Sequence, residues 1–469
     1  MYKKTIIYCF QEKRSKMNLN ILSFEIGGFR NITATKITLN DVTAIIGLNG
    51  YGKSNVISAI DFGIDFIGMP FKRRMMASTS DIPLLKSIAG MDYKFEIEAK
   101  YDDFVFKYGF SFGWETIHNS AEIKEEHLLI KSESGTKRFN TYISRELNDA
   151  KIKTSVKGRC DTSINVSNDE LVINKLNNND RLFYKDVISE INNLEFCIEK
   201  HLDTTPSFQP DPLSFNYSED FRNINNIPRI IWEIKQKHEK KYNILIDTFM
   251  QIFPSIKELR CIEHPITVDN LIDIKGSSGI MFRENFYTLT VKDERLTQPL
   301  NFNSLSDGTR RVFLALTFAV MADIRKLSVI VFEEPENSVH PSLLQTYLRT
   351  LDSLSGNCKI IFTSHSPYMI QYMPLESVYI GLKCSSGQVD FRRITNPEGL
   401  IKLANKYDKN VGDLIFDYIS FNNANEMLND FVSPPASTFI NSNTDDSDDE
   451  NDNWLIDNSE ATDKAGGCE

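Results

Sequence analysis

The sequence predicts an α/β fold carrying an antiparallel β lobe, an inserted short helical arm and a disordered acidic tail. Three observations carry that expectation. Val42–Ile46 is a short apolar run, followed by the glycine-rich stretch Gly47-Leu-Asn-Gly-Tyr-Gly-Lys-Ser54 and then by apolar positions at helical spacing. From Tyr93 onward the period changes to two. Late in the chain, Leu327–Phe332 and Lys359–Phe362 read as buried strands, each ending in a cluster of charged or polar residues.

In chain order, residues 1–17 read as a ragged extension and 18–90 as the first part of an α/β head. Within that part, Leu22–Ile26 and Thr35–Leu39 are strands joined through Gly27-Gly-Phe-Arg-Asn31. Residues 91–150 form the β lobe. There Tyr93, Phe95, Ile97, Ala99 and Tyr101, then Phe104 to Phe112, give a hairpin with one buried aromatic face, and Glu122–Ile130 and Arg138–Ile143 continue it. Residues 151–280 read as a polar loop followed by two helical stretches, Leu182 to Ile198 and Ile227 to Phe249, that make a short arm. Residues 281–432 return to the head. Residues 433–469 hold Pro434-Pro435 and the run Asp445–Asp452, which cannot bury a core and are expected to be disordered.

The net charge of −11 is concentrated at one end. The last 37 residues carry ten Asp/Glu and one Lys, which leaves the remaining body at −2. Acidity therefore does not argue against nucleic-acid binding by the folded part. The seven cysteines are scattered without a C-x-x-C pair, as in a reducing cytoplasm, and imply neither a disulfide framework nor zinc. No apolar run approaches the ~20 residues of a membrane span, so a membrane partner is not expected.

The chemistry begins at Gly47–Ser54. Strand, glycine loop and helix together make a phosphate cradle, because the loop amides and the helix N-terminus both favour an anion. Asn49, Gly50, Gly52, Lys53, Ser54 and Asn55 are its candidate ATP-binding residues. Lys53 suits the β- and γ-phosphates, and the Ser54 hydroxyl suits Mg²⁺. Further along, Ser306 and Gly308 open an apolar helix in another turn suited to an anion. Glu333 and Glu334 end a strand, where one carboxylate can hold Mg²⁺ and the next can polarise water. Thr363-Ser-His365 ends another strand and puts an imidazole at the same edge.

This set resembles the ATP-binding cassette ATPases, and more closely their SMC/RecF/OLD-like branch. The resemblance rests on Phe29-Arg-Asn31, the Gly47–Asn55 loop, Ser306-Asp-Gly-Thr-Arg310, Glu333-Glu-Pro-Glu336 and Thr363-Ser-His-Ser-Pro367. It covers about residues 20–70 and 286–420. It implies an ABC-type P-loop NTPase head, with Glu334 as the catalytic glutamate and His365 as the sensor of the γ-phosphate. Glu333 stands where the family usually has aspartate, as a metal ligand with Ser54. The resemblance also implies that Ser306 and Gly308 reach a nucleotide held by an opposite protomer, so that heads pair around two ATP molecules.

Lys53 to Ser306 spans 253 residues, too few for a long SMC coiled coil. After Leu382 too little ordered sequence follows for the TOPRIM nuclease that OLD proteins append, so a nuclease in the same chain is not expected. What the resemblance implies is a cytoplasmic ATPase that gates a separate nuclease or toxin in bacterial antiviral defence. The alternative is a RecF/SMC-like ATPase that binds DNA in repair or recombination. Arg229, Lys235, Lys237, His238, Lys240 and Lys241 would supply the phosphate contacts for that role, although a solvated helix face is the favoured reading of those residues.

Overall fold

The computed structural model describes residues 19–69, 84–88, 90–114, 122–133, 138–179, 181–199, 207–208, 213–214, 226–265, 281–282, 285–384, 386–421 and 423–436. The chain opens with β1 (Leu19–Phe29), β2 (Ile32–Thr38), β3 (Val42–Ile46) and α1 (Lys53–Gly68). A meander follows: β4 (Tyr93–Tyr101), β5 (Phe104–Gly113), β6 (Glu122–Ser132), β7 (Asn140–Glu146), β8 (Asp149–Lys153) and β9 (Cys160–Ser163). Next come α2 (Val172–Leu176), α3 (Lys185–Asn192), β10 (Phe196–Glu199) and the two-residue β11 (Leu213–Ser214). Then α4 (Ile227–Lys237), α5 (Glu239–Ile252), β12 (Ile256–Pro265), β13 (Met281–Phe282), β14 (Asn285–Asp293) and β15 (Leu300–Asn301) lead to α6 (Asp307–Arg325). The last part is β16 (Val329–Glu333), α7 (Pro341–Leu354), β17 (Lys359–Ser364), α8 (Pro367–Gln371), β18 (Val378–Lys383), β19 (Val389–Arg393), α9 (Pro397–Lys406), α10 (Val411–Ile419) and α11 (Ala424–Leu428).

The fold class is α/β, as expected. Among the described residues, fourteen strands form one sheet in the order β10-β16-β17-β3-β18-β19-β2-β1-β4-β5-β6-β7-β8-β9, with β12, β14 and β15 in a separate sheet. β10, β16, β17, β3 and β18 run parallel, and the stretch from β2 to β9 is antiparallel throughout. The parallel strands are apolar on both faces because both faces are covered. Ala44, Ile46, Ile330, Phe332, Ile360 and Phe362 face one core with α4 to α7. Ile45, Val329, Val331 and Ile361 face the other, with α1 and the β lobe. Helix α6 is buried all round from Val312 to Ala322, which accounts for its apolar run on every face.

Main-chain pairing nearly lapses where the two halves of the sheet meet. β19 and β2 share the single register pair Val389↔Ile32. Side chains complete the joint. The Tyr379 hydroxyl accepts from Thr38 N (2.7 Å), and Lys359 Nζ donates to Ile21 O (2.7 Å) and Leu39 O (3.0 Å). Inside the lobe, the Glu126 carboxylate is buried and accepts from Val172 N (2.6 Å), Ile173 N (2.9 Å) and Tyr108 Oη (3.1 Å), which fixes α2 to β6.

The expected two-helix arm is not formed by the stretches that suggested it. Val187, Ile188 and Ile191 of α3 belong to the lobe-side core, whereas Ile231, Leu245 and Phe249 of α4 and α5 belong to the other, against α6 and α7. The longer stretch is two helices that break at His238 (φ −139°, ψ 54°). Ile198 is not helical: it sits on β10, paired in parallel with Val331 at the sheet edge. The polar stretch that precedes Leu182, expected as loop, instead holds most of β8, and β9 and α2. The residues expected as N-terminal extension, and 437–469 of the acidic tail, lie outside the described residues. Among the described residues no helix is long and apolar enough to cross a membrane.

Candidate functional site

The site lies at the C-terminal edge of the parallel strands, where α/β sheets place their ligands. Register sets it. Glu333 pairs with Thr363, Thr363 with Ile45, and Ser364 with Ile46, so three strand ends finish at one level. The glycine loop leaves β3 there, and its first amide, Gly47 N, donates to Ser364 O at 3.2 Å.

The loop keeps its shape for reasons visible in its residues. Gly50 and Gly52 have φ of +78° and +82°, a region that side-chain-bearing residues rarely adopt. At Gly52 a Cβ would also lie 2.8 Å from Asn31 Oδ1. That asparagine accepts from Asn55 Nδ2 (2.7 Å), while Arg30 NH1 donates to Asn55 Oδ1 (2.9 Å). The Phe29-Arg-Asn31 turn therefore braces the first turn of α1, and both ends of the Asn55 amide are engaged in doing so. Asn49 is exposed at the loop tip beside Gly50. Tyr51 Oη donates to Ile419 O at 2.9 Å and ties the loop to α10.

Lys53 is buried and curls back on the loop, donating from Nζ to Gly47 O (2.9 Å) and Leu48 O (3.3 Å). Burial pulls its ammonium below the usual lysine range, and the carboxylates of Glu334, Glu336 and Glu333, in that order, push it back up. The ammonium thus sits on two loop carbonyls within the field of three carboxylates, a setting that a phosphate could share. Ser54 Oγ lies 3.4 Å from Glu333 Oε2. These are hard oxygen donors. Mg²⁺ characteristically takes one or two protein oxygens and completes its shell with phosphate and water, so the pair fits that ion. Among the described residues, no group of three or more His, Cys, Asp and Glu gathers as a metal cage.

Glu334 adopts the left-handed conformation (φ 49°, ψ 53°), uncommon without glycine and usually retained where a function requires it. Its amide donates to Thr363 O (2.9 Å), and its Oε2 accepts from Asn337 Nδ2 (2.8 Å). Its Oε1 comes within 3.0 Å of His365 Nδ1, close enough for an ion pair but outside hydrogen-bond geometry. Burial pushes the Glu336 carboxyl above the usual range, against the lowering effect of its bond from Ser364.

Lys53, Ser54, Glu333, Glu334 and His365 thus share one edge. Ser306 and Gly308 stand at the start of α6. Ser306 caps α6, its Oγ accepting from Thr309 N at 3.2 Å, and Gly308 lies in the first turn. The residues that the sequence reading left without a role are Asn337, Glu336 and Ser364. The last two lie inside quoted motifs, but nothing in one dimension shows that they touch.

A family model described as "AAA domain, putative AbiEii toxin, Type IV TA system" matches residues 42–370. Over 100 residues the chain is 32% identical to Protein ea59 of Escherichia phage lambda, a match that takes in 20% of this chain and 19% of that protein. The chain thus spans about a fifth of the curated relative it matches. Among solved structures it is similar to an SmcHead bound to the C-winged helix domain of ScpA, at 14% identity over 79% of this chain and 96% of that one, with a TM-score of 0.42. It is also similar to the recombination mediator protein RecF in the RecFOR pathway, at 12% identity over 81% and 99% of the two chains, with a TM-score of 0.38. The SMC head domain from Thermotoga maritima gives 12% identity, 80% and 99%, and a TM-score of 0.37.

Proposed function

The chain belongs to the AAA-domain family whose model it matches, and from that premise we propose that it binds ATP with Mg²⁺ at the loop edge and hydrolyses it. The observation that supports this reading is the meeting of Lys53, Ser54, Glu333, Glu334 and His365 at one edge. Lys53 exchanges the loop carbonyls for β- and γ-phosphate oxygens. Ser54 and Glu333 hold the ion, which supplies neutralising charge on the phosphates when bound. Glu334, held by Asn337, orients the attacking water, and His365 donates a hydrogen bond toward the γ-phosphate. Ser306 and Gly308 complete the site of a second copy, so turnover follows pairing of two heads. The cycle gates a separate effector, a nuclease or toxin, in antiviral defence of the OLD-like kind.

Replacing Glu334 by Gln tests the assignment. Expected is a fall in kcat of about 10²–10⁴-fold, the usual contribution of a positioned base, with ATP still bound and the paired form accumulating. A variant that turns over at the parental rate removes Glu334 from this role.

A further inference from the structure

The two residues that flank His365 in sequence are held by a single hydroxyl. Ser364 Oγ donates to the Glu336 carboxylate, and the same oxygen accepts from Ser366 N at 3.0 Å. The carbonyl of Ser364 meanwhile accepts the first loop amide, from Gly47. Glu336 therefore anchors a short relay of hydrogen bonds that holds the backbone on either side of His365 and touches the start of the glycine loop. Its remaining oxygen, Oε2, is buried with no hydrogen-bond partner. A half-satisfied buried carboxylate is costly, and such groups in a folded protein call for an explanation beyond stability.

The turn Pro335–Ser338 supplies the geometry. Glu334 and Glu336 stand two residues apart at this turn. One approaches His365 Nδ1 and the other grips the residue just before that histidine. One short turn thus carries Glu334 and is hydrogen-bonded, through Glu334 N and the Glu336 carboxylate, to Thr363 and Ser364, the two residues before the imidazole.

We propose that Glu336 is a positioning residue: by clamping Ser364, and through it Ser366, it sets the distance between Glu334 and His365. This rests on the roles given to those two residues above. Misplacing a reacting group by about 1 Å can cost on the order of 10²-fold in rate while binding persists, and that is the loss the clamp prevents.

The full chain is tested by steady-state ATP hydrolysis and, separately, by binding of a fluorescent non-hydrolysable ATP analogue, which also reports folding. Glu336→Ala is expected to lower kcat by roughly 10–100-fold, with analogue affinity held within about threefold. Glu336→Gln, whose amide oxygen still accepts from Ser364, restores most of the rate. Ser364→Ala reproduces the loss, and the two losses do not multiply in the double variant. Parental kcat in Glu336→Ala, a loss seen in affinity instead of kcat, or multiplying losses would each overturn the proposal. If the wild-type chain hydrolyses no ATP, the parent reading fails by itself. The clamp is then judged by the NMR shift of the His365 ring, which moves in Glu336→Ala and not in Glu336→Gln if it exists, and is unmoved by either if it does not.

Discussion

Lys53 shows how a single side chain can be held at a cost in the empty protein. Burial lowers its affinity for a proton, so the charged form is penalised when folded, and the penalty applies at every pH below the folded value. It disappears as the pH rises past the ordinary lysine value, where folded and unfolded chains are both neutral. Lys53→Met is therefore expected to leave the empty protein at least as heat-stable as the wild type at pH 7, with the gap closing toward pH 10–11. The same variant loses the rise in Tm that ATP and Mg²⁺ give the wild type. Thermal melts at the two pH values, with and without nucleotide, check both parts. A Met variant that melts well below the wild type at pH 7 would show that the Gly47 and Leu48 bonds outweigh the penalty.

Among the elements, α1 is the one whose placement matters most, because its first turn carries Lys53 and Ser54. It lies against β4 at Gly63, where a Cβ would stand 2.2 Å from Phe95 Cδ2 and 2.5 Å from Tyr93 Oη. Gly63→Ala is accordingly expected to destabilise by about 1–3 kcal/mol, as overpacked cores do, measured by urea denaturation. An unchanged midpoint would mean that the helix can shift aside without loss. This contact also marks the limit of what one dimension discloses. The buried strands, the aromatic hairpin and the loop were legible, because apolar runs and period-two alternation report burial directly. β9 was missed because Cys160–Ser163 is an exposed edge strand with no apolar face to betray it. β10 was missed because Phe196-Cys-Ile198 follows a helix and is too short to establish its own period. The arm was misread for a related reason: helical spacing shows that a face is buried, but not against what. At the site, the motif residues announced themselves, whereas Glu336 and Ser364 became partners only when two strand ends came together.

For the molecule as a whole, the open question is whether one copy suffices. Ser306 caps its own helix, and the proposed function gives it a further role at the nucleotide of a second copy. Mixing decides. Lys53→Ala and Ser306→Arg are each expected to be inactive alone. Combined in equal amounts they should recover roughly a quarter of parental ATPase, since random pairing makes half the dimers mixed and each mixed dimer keeps one intact site. No recovery would place both residues in one self-contained site. The DNA-binding alternative gains little at this scale. Arg229 and Lys237 share Glu233, and Lys241 pairs with Asp323, so part of the basic stretch is already paired.

The seam between the sheet's halves carries one last implication. Hydrogen bonds between main chains are indifferent to which amino acids form them, but here the polar part of the seam, above the shared apolar core, is made largely by Tyr379 and Lys359 reaching across beside the Val389↔Ile32 rung. A junction sewn with side chains can be loosened or tightened by one codon at a time. A change at Tyr379 would alter the seam while leaving Lys53, Glu334 and His365 as they are.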